Sequence, residues 1–139
     1  MTQLLNAVGA EQLAGILQAA GCRADTRERQ GITEIHSAMQ GLGFLLRLGQ
    51  REAEGRFLDF TWICALALRG EPVAGAVDDW NRNTRFARLT LQGQFLVLSM
   101  DTLVAGGVTE AHLRAQLELW SRLLQQLVLH LRRPAAQAA

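Results

Sequence analysis

The last third of the chain carries the pattern that most limits what it can fold into. Leu113, Leu117, Trp120, Leu124, Leu127 or Val128, and Leu131 recur at spacings of three and four, the period of a helix that buries one side. Thr109 is placed to cap this helix, and Glu110 suits the positive end of its dipole. Leu119, Leu123 and Leu127 widen the stripe to a broad face. A face that wide can bury against its own sheet and still offer Leu119, Trp120, Leu123 and Leu127 to a partner or a second copy. Core and interface look alike in one sequence, so both readings stand.

A sheet for this helix to cover is written upstream. Leu42, Phe44, Leu46 and Leu48 alternate with Gly43, Leu45 and Arg47, the period of a half-buried strand. Leu58, Phe60, Trp62, Cys64 and Leu66 share one face of a second strand, aromatic on its core side and expected at the centre of an antiparallel sheet. Residues 32–39 form a further strand, and residues 22–29 at best an edge strand. Gly49 to Gly55 reads as a charged loop. Phe86 to Leu91 and Phe95 to Met100 flank Gln92-Gly93-Gln94, a tight hairpin. Residues 2–20 read as an amphipathic helix capped by Thr2 and stopped by Gly21. A short helix starts at Glu71-Pro72, with Val73, Val77 and Trp80 on its apolar edge, and ends over Asn81 to Thr84. The order is α-β-β-β(-β)-α-β-β-α. Antiparallel strands flanked by helices make an α+β domain with helices packed on the sheet.

With 139 residues the chain holds one domain, over 1–131, and a tail at 132–139 that loses the hydrophobic period and is expected to fray. Hydrophobic residues at 49% and charged residues at 19% place it among globular chains. The N-terminus lacks a basic region, and the longest apolar run, Trp62 to Leu68, is far short of a membrane span. A cytoplasmic protein with no membrane partner is therefore expected. Cys22 and Cys64 form no CxxC and read as small apolar residues in a reducing compartment; a disulfide would need the fold to bring them together.

Charge and motifs exclude more than they suggest. A net charge of +1 leaves no electrostatic footprint for nucleic acid. Arg82, Arg85 and Arg88 with Trp80 and Phe86 could form a stacking platform, but Asp78, Asp79 and Glu71 sit close by and mixed charge on a solvated turn is the better reading. All 14 basic residues are arginine and tyrosine is absent, so lysine and tyrosine catalysts are excluded. Asp79 to Asn83 matches D-x-N-x-N of a calcium loop. Thr84 and Thr90 then stand where a glycine and a bidentate glutamate are needed, so calcium is rejected. His36, His112 and His130 lack metal-ligand spacing, and Ser37, Ser99 and Ser121 lie in no nucleophile elbow. Gly41-Leu42-Gly43 and Gly106-Gly107 are not phosphate loops. No enzyme, cofactor or metal is expected.

One stretch goes beyond periodicity. Trp80-Asn81 is followed by Arg85-Phe86, then by Gly106-Gly107-Val108-Thr109 opening a helix that carries Trp120. This resembles the YbjN family of proposed bacterial sensory transduction regulators, with the specific match over about residues 75–125. Asp78, where the family often has asparagine, and Ala87-Arg88-Leu89 depart from its pattern. The resemblance implies a fold similar to class I type III secretion chaperones, small α+β homodimers that bind extended client segments. It implies a dimeric, non-enzymatic module that binds a peptide or partner in apolar grooves beside the helices and by strand addition. A small-ligand sensor or cryptic enzyme is the alternative; it would use a pocket between helices and sheet, with His36, Glu34 and an arginine converging. The motif also has a purely physical reading. Trp80 packs under the sheet, Asn81 and Asn83 bond backbone at the helix end, Arg85 bonds freed carbonyls or pairs with Asp78 or Asp79, and Gly106-Gly107 permits the reversal before the last helix.

Overall fold

A computed structural model describes residues 3–70 and 75–132. Its main sheet has six antiparallel strands: β2 (Asp25–Arg29), β3 (Ile32–Met39), β4 (Leu42–Leu48), β7 (Asp59–Ala67), β8 (Arg88–Gln92) and β9 (Phe95–Leu103). They lie in the order β2-β3-β4-β7-β9-β8. Three helices accompany them: α1 (Ala10–Ala19), α2 (Ala76–Asn83) and α3 (Glu110–Leu131). The α+β class holds, with the aromatic strand β7 near the centre.

Two-residue turns set the register. Gln30-Gly31 joins β2 to β3 and Gln40-Gly41 joins β3 to β4, both residues of each pair having positive φ, as a type I′ hairpin turn demands. Gln92 belongs to β8 and pairs with Phe95, so the third hairpin turns on Gly93-Gln94 alone.

Alternation then decides which face is buried. Phe44, Leu46 and Leu48 of β4 and Phe60, Trp62 and Cys64 of β7 point to the helix side, where every one is 4% exposed or less. They meet Leu13, Ile16 and Leu17 of α1 and the α3 stripe in one core. At its centre Trp120 lies 6.0 Å from Phe44 and 5.8 Å from Trp62, ring centroid to centroid. Trp62 Nε1–H donates to Thr102 Oγ1 at 2.9 Å, so its polar edge is satisfied inside the core. Among the described residues no helix covers the opposite face of the sheet, which presents Leu45, Ile63, Ala65 and Phe95 beside the polar row Glu34, Arg47, Thr61 and Asp101.

Several expectations need correction. The first helix begins at Ala10, because the preceding residues are used as strand: β1 (Leu4–Leu5) pairs with β10 (Val108–Thr109), and Val8 bridges Phe57. Gly9 is the N-cap, and its N–H donates to Gln12 Oε1 at 2.9 Å. The segment from Gly49 to Gly55 is no plain loop. Arg51–Ala53 (β5) forms a small hairpin with Arg56–Phe57 (β6), and Phe57 joins the core. Glu71-Pro72, Val73, the Thr2 cap and residues 133–139 of the tail lie outside the described residues. Cys22 and Cys64 are both free thiols.

Candidate functional site: a groove between the α2 exit and α3

The family-like motif divides into a buried half and an exposed half. Trp80 is 2% exposed and its Nε1–H donates to the Ala87 carbonyl at 3.1 Å. Asn81 accepts from the Leu89 N–H through Oδ1 and donates to the Leu89 carbonyl through Nδ2, both at 2.8 Å. In an antiparallel strand the N–H and C=O of one residue point the same way, so both Leu89 groups face away from β9. The Asn81 amide therefore occupies the place that a residue of an added strand would take. With Trp80 on Ala87, α2 seals the β8 edge at two successive outward positions. Asn83 Nδ2–H donates to the Asp79 carbonyl at 2.9 Å, as the physical reading of the helix end requires.

These clamps fix the path of the chain between α2 and β8. Thr84 ends α2 in extended backbone, its N–H still bonded to the Trp80 carbonyl at 2.8 Å. The chain must then reach Ala87 and Leu89, both held by α2. It does so in a tight turn in which Ala87 N–H donates to the Arg85 carbonyl at 3.0 Å and Phe86 takes φ of 78°. A left-handed backbone in an aromatic residue costs of order 1–3 kcal/mol and persists only where its surroundings over-determine it. Phe86 is not part of the strand expected to start there. Its ring is held out of the core at 62% exposure, with the Arg85 guanidinium 4.8 Å above it. Arg85 thus stacks on Phe86 instead of pairing with Asp78 or Asp79.

Phe86 stands over a groove of about 790 Å³ between the 79–86 segment and α3. The α3 wall runs from Leu119 to His130. His130 Nε2–H donates to the Ala76 carbonyl at 2.7 Å, and its ring meets Trp80 edge-on at 5.5 Å, tying the end of α3 to the start of α2. Arg122 and Leu129 are exposed on this wall. Of the helix residues expected on a partner surface, Trp120, Leu123 and Leu127 are instead buried, at 0%, 3% and 1% exposure. The sheet takes up most of the broad stripe, leaving Leu119 half-buried at the rim and only an edge of Leu123 toward the groove.

The second half of the motif lies elsewhere. Gly106 and Gly107 have φ of 94° and 103°, the conformation expected for the reversal. A Cβ on Gly107 would come within 3.3 Å of Asn6 Oδ1, so the N-terminal strand packs close because no side chain is there. Val108 and Thr109 pair with β1, and Thr109 Oγ1 accepts from His112 N–H at 3.0 Å as the cap of α3.

The other candidate chemistry is dispersed. His36 Nε2–H donates to Glu34 Oε1 at 3.2 Å and Arg47 Nε–H to Oε2 at 2.9 Å, so the three side chains do converge. They converge on the helix-free face, however, while the space between helices and sheet is filled by the core. Burial alone would push the Glu34 carboxyl up; the hydrogen bonds and charges of Arg47 and His36 outweigh it and hold the group below its usual range. A depression of about 600 Å³ near His36 is lined by Arg23, Asp25 and Arg27, of which the last two form an ion pair at 2.9 Å. Burial pushes the Cys64 thiol up to about 11, which makes it inert. Trp80, being buried, supplies no stacking surface, and Arg88 pairs with Asp101 at 3.5 Å. Among the described residues no group of three or more histidine, cysteine or acidic side chains could hold a metal ion, and no helix is long and apolar enough to cross a membrane.

Sequence reading missed Arg122, Gln126 and Leu129 as a wall, and placed Phe86 in a strand. A signal for Phe86 existed. It shares the parity of Arg88 and Thr90, opposite the buried Ala87 and Leu89, so a strand would already have turned it off the core face.

No curated protein and no solved structure matches the chain significantly. A family model does match, over residues 9–133, and its description reads "putative bacterial sensory transduction regulator". That span takes in the edge-sealing pair, the strained turn and the whole of α3, and the chain belongs to the YbjN family.

Proposed function

We propose that this chain is a non-enzymatic regulatory module that acts by binding a segment of a protein partner in the groove between the α2 exit and α3. One observation carries this reading: Phe86, a large aromatic that lines a groove, is held exposed in left-handed backbone. Strain kept at an exposed side chain serves contact, since it contributes nothing to the core. A homodimer of the type III secretion chaperone kind, in the cytoplasm, is part of the proposal.

The test is photo-crosslinking in the bacterium that makes the chain, with a benzophenone amino acid at position 86 or 119 and, as control, at position 28 on the far edge strand. Discrete protein adducts at 86 and 119 but not at 28 are expected. Adducts absent from 86 and 119, or equal at all three, would overturn the assignment of the groove. An adduct to the chain itself, together with a dimer mass by light scattering, reports the homodimer.

A further inference from the structure

We infer that the groove takes an acidic amphipathic helix of a partner protein, not an extended strand. This rests on the groove being the partner site. Three observations point to that occupant.

The first is the sealed edge. An extended segment gains its affinity from main-chain hydrogen bonds to a sheet edge. Beside this groove those bonds are taken, because Ala87 carbonyl and both Leu89 backbone groups are held by Trp80 and Asn81. A helix satisfies its own backbone and asks the groove only for side-chain contact. The second is shape. The α3 wall from Leu119 to His130 spans about 16 Å, or three helical turns at 1.5 Å per residue. Leu119, Phe86 and Leu129 supply apolar contacts along that length, as a helix with one apolar stripe requires.

The third is charge. Arg85 on one wall and Arg122 on the other face the groove, and Asp79 is the one acidic side chain among the described residues that line it. Carboxylates flanking the apolar stripe of the incoming helix would meet both arginines. The chain's own long helix is poorly suited to supply them: α3 carries only two acidic residues, Glu110 and Glu118, and Glu110 is paired to Arg114 at 3.2 Å. A second copy is thus a poor occupant.

The experiment is selection of a displayed library of 16-residue peptides, built from Ala, Leu, Phe, Gln, Glu and Arg, on the full-length wild-type chain. Parallel selections use Phe86→Ser and the double variant R85E/R122E. Fluorescence anisotropy then measures enriched peptides and versions of them broken by a central proline. Glutamate-rich peptides with an apolar stripe are expected. Loss of at least tenfold in affinity is expected with Phe86→Ser and with the proline, and R85E/R122E should select arginine-rich peptides instead. Phe86-dependent peptides without charge preference, or proline versions that bind equally well, would overturn the acidic helix while leaving the groove reading intact. Failure to enrich any Phe86-dependent peptide would overturn both. A wild-type dimer that Phe86→Ser dissociates would assign the groove to a second copy and overturn the inference too. Circular dichroism of each variant keeps misfolding apart from lost binding.

Discussion

The Asn81 clamp makes a prediction whose sign depends on chemistry rather than size. Asn81→Ala removes two side-chain-to-backbone hydrogen bonds, each 2.8 Å long. Each is worth about 0.5–1.5 kcal/mol net, so the loss should be about 1–3 kcal/mol. Asn81→Asp keeps the acceptor for Leu89 N–H but sets a carboxylate oxygen against the Leu89 carbonyl at hydrogen-bond distance. At neutral pH it should therefore be no more stable than Asn81→Ala, despite being nearly isosteric with the native residue. Protonation restores a donor. The aspartic acid is bound better neutral than charged, so its folded pKa lies above its unfolded one. A raised pKa contributes stability that is full below the unfolded value and is lost as pH rises through the folded value. The gap between the Asp and Ala variants should thus move in favour of Asp as pH falls through the raised folded pKa, and the shift should be complete below about 4, the ordinary carboxyl pKa.

Urea unfolding followed by tryptophan fluorescence reads this directly. With a slope of about 1–3 kcal/mol/M, a loss of 2 kcal/mol moves the midpoint by about 1 M. An Asn81→Ala midpoint within error of wild type would show that water replaces the amide at no cost. An Asp variant equal to Ala at every pH would show that the Leu89 carbonyl is not the partner that matters.

Four further outcomes test other parts of the structure. Leu123→Glu, which puts a carboxylate at a site 3% exposed, should abolish cooperative unfolding, whereas Leu119→Glu should fold within about 1 kcal/mol of wild type by circular dichroism and urea melts. Phe86→Gly should be as stable as wild type or up to about 1 kcal/mol more stable, since left-handed strain is relieved and a 62% exposed ring buries little. A thiol reagent should label Cys22 in the native chain and Cys64 only after unfolding, as mass spectrometry of the two peptides would show. Glu34, with its folded pKa depressed by Arg47 and His36, contributes stability above its unfolded pKa that is lost as pH falls through the folded value; Glu34→Gln should flatten the acid side of the urea-midpoint profile below about pH 4.5.

Elements with a clean period were legible in the sequence. The alternation of Phe44, Leu46 and Leu48, the aromatic face of β7 and the α3 stripe all reappear on the core side. What failed lacked a local signal. Leu4, Leu5 and Val8 fit a helical wheel as well as a strand, and only pairing with Val108-Thr109 and Phe57, some fifty to a hundred residues away, decides between them. The groove is opaque for a related reason. Its α3 wall is the solvent side of a helix whose periodic signal belongs to the core, so Leu129 and Arg122 read as ordinary surface. Burial of Trp120 and Leu123 was equally undecidable, because a stripe facing a sheet and a stripe facing a partner have the same spacing.

The two free edges of the sheet clarify what kind of binding the fold favours. β2 ends the sheet with Asp25-Thr26-Arg27-Glu28-Arg29, every residue exposed, and a charged edge discourages pairing with another strand. β8 ends it with Leu89 and Leu91, apolar enough to invite pairing, and at its start, over Ala87 and Leu89, the edge is closed from within by Trp80 and Asn81. Different residues thus perform the same task at opposite ends. The closure at β8 has a second consequence, because the side chains that seal the edge also anchor the turn that carries Phe86. Releasing Asn81 would free Leu89, relax Ala87 and allow Phe86 to leave its left-handed conformation. Edge sealing and aromatic display are then one mechanical unit, and a variant that opens the edge should lower Phe86-dependent binding even though Asn81 lies outside the groove.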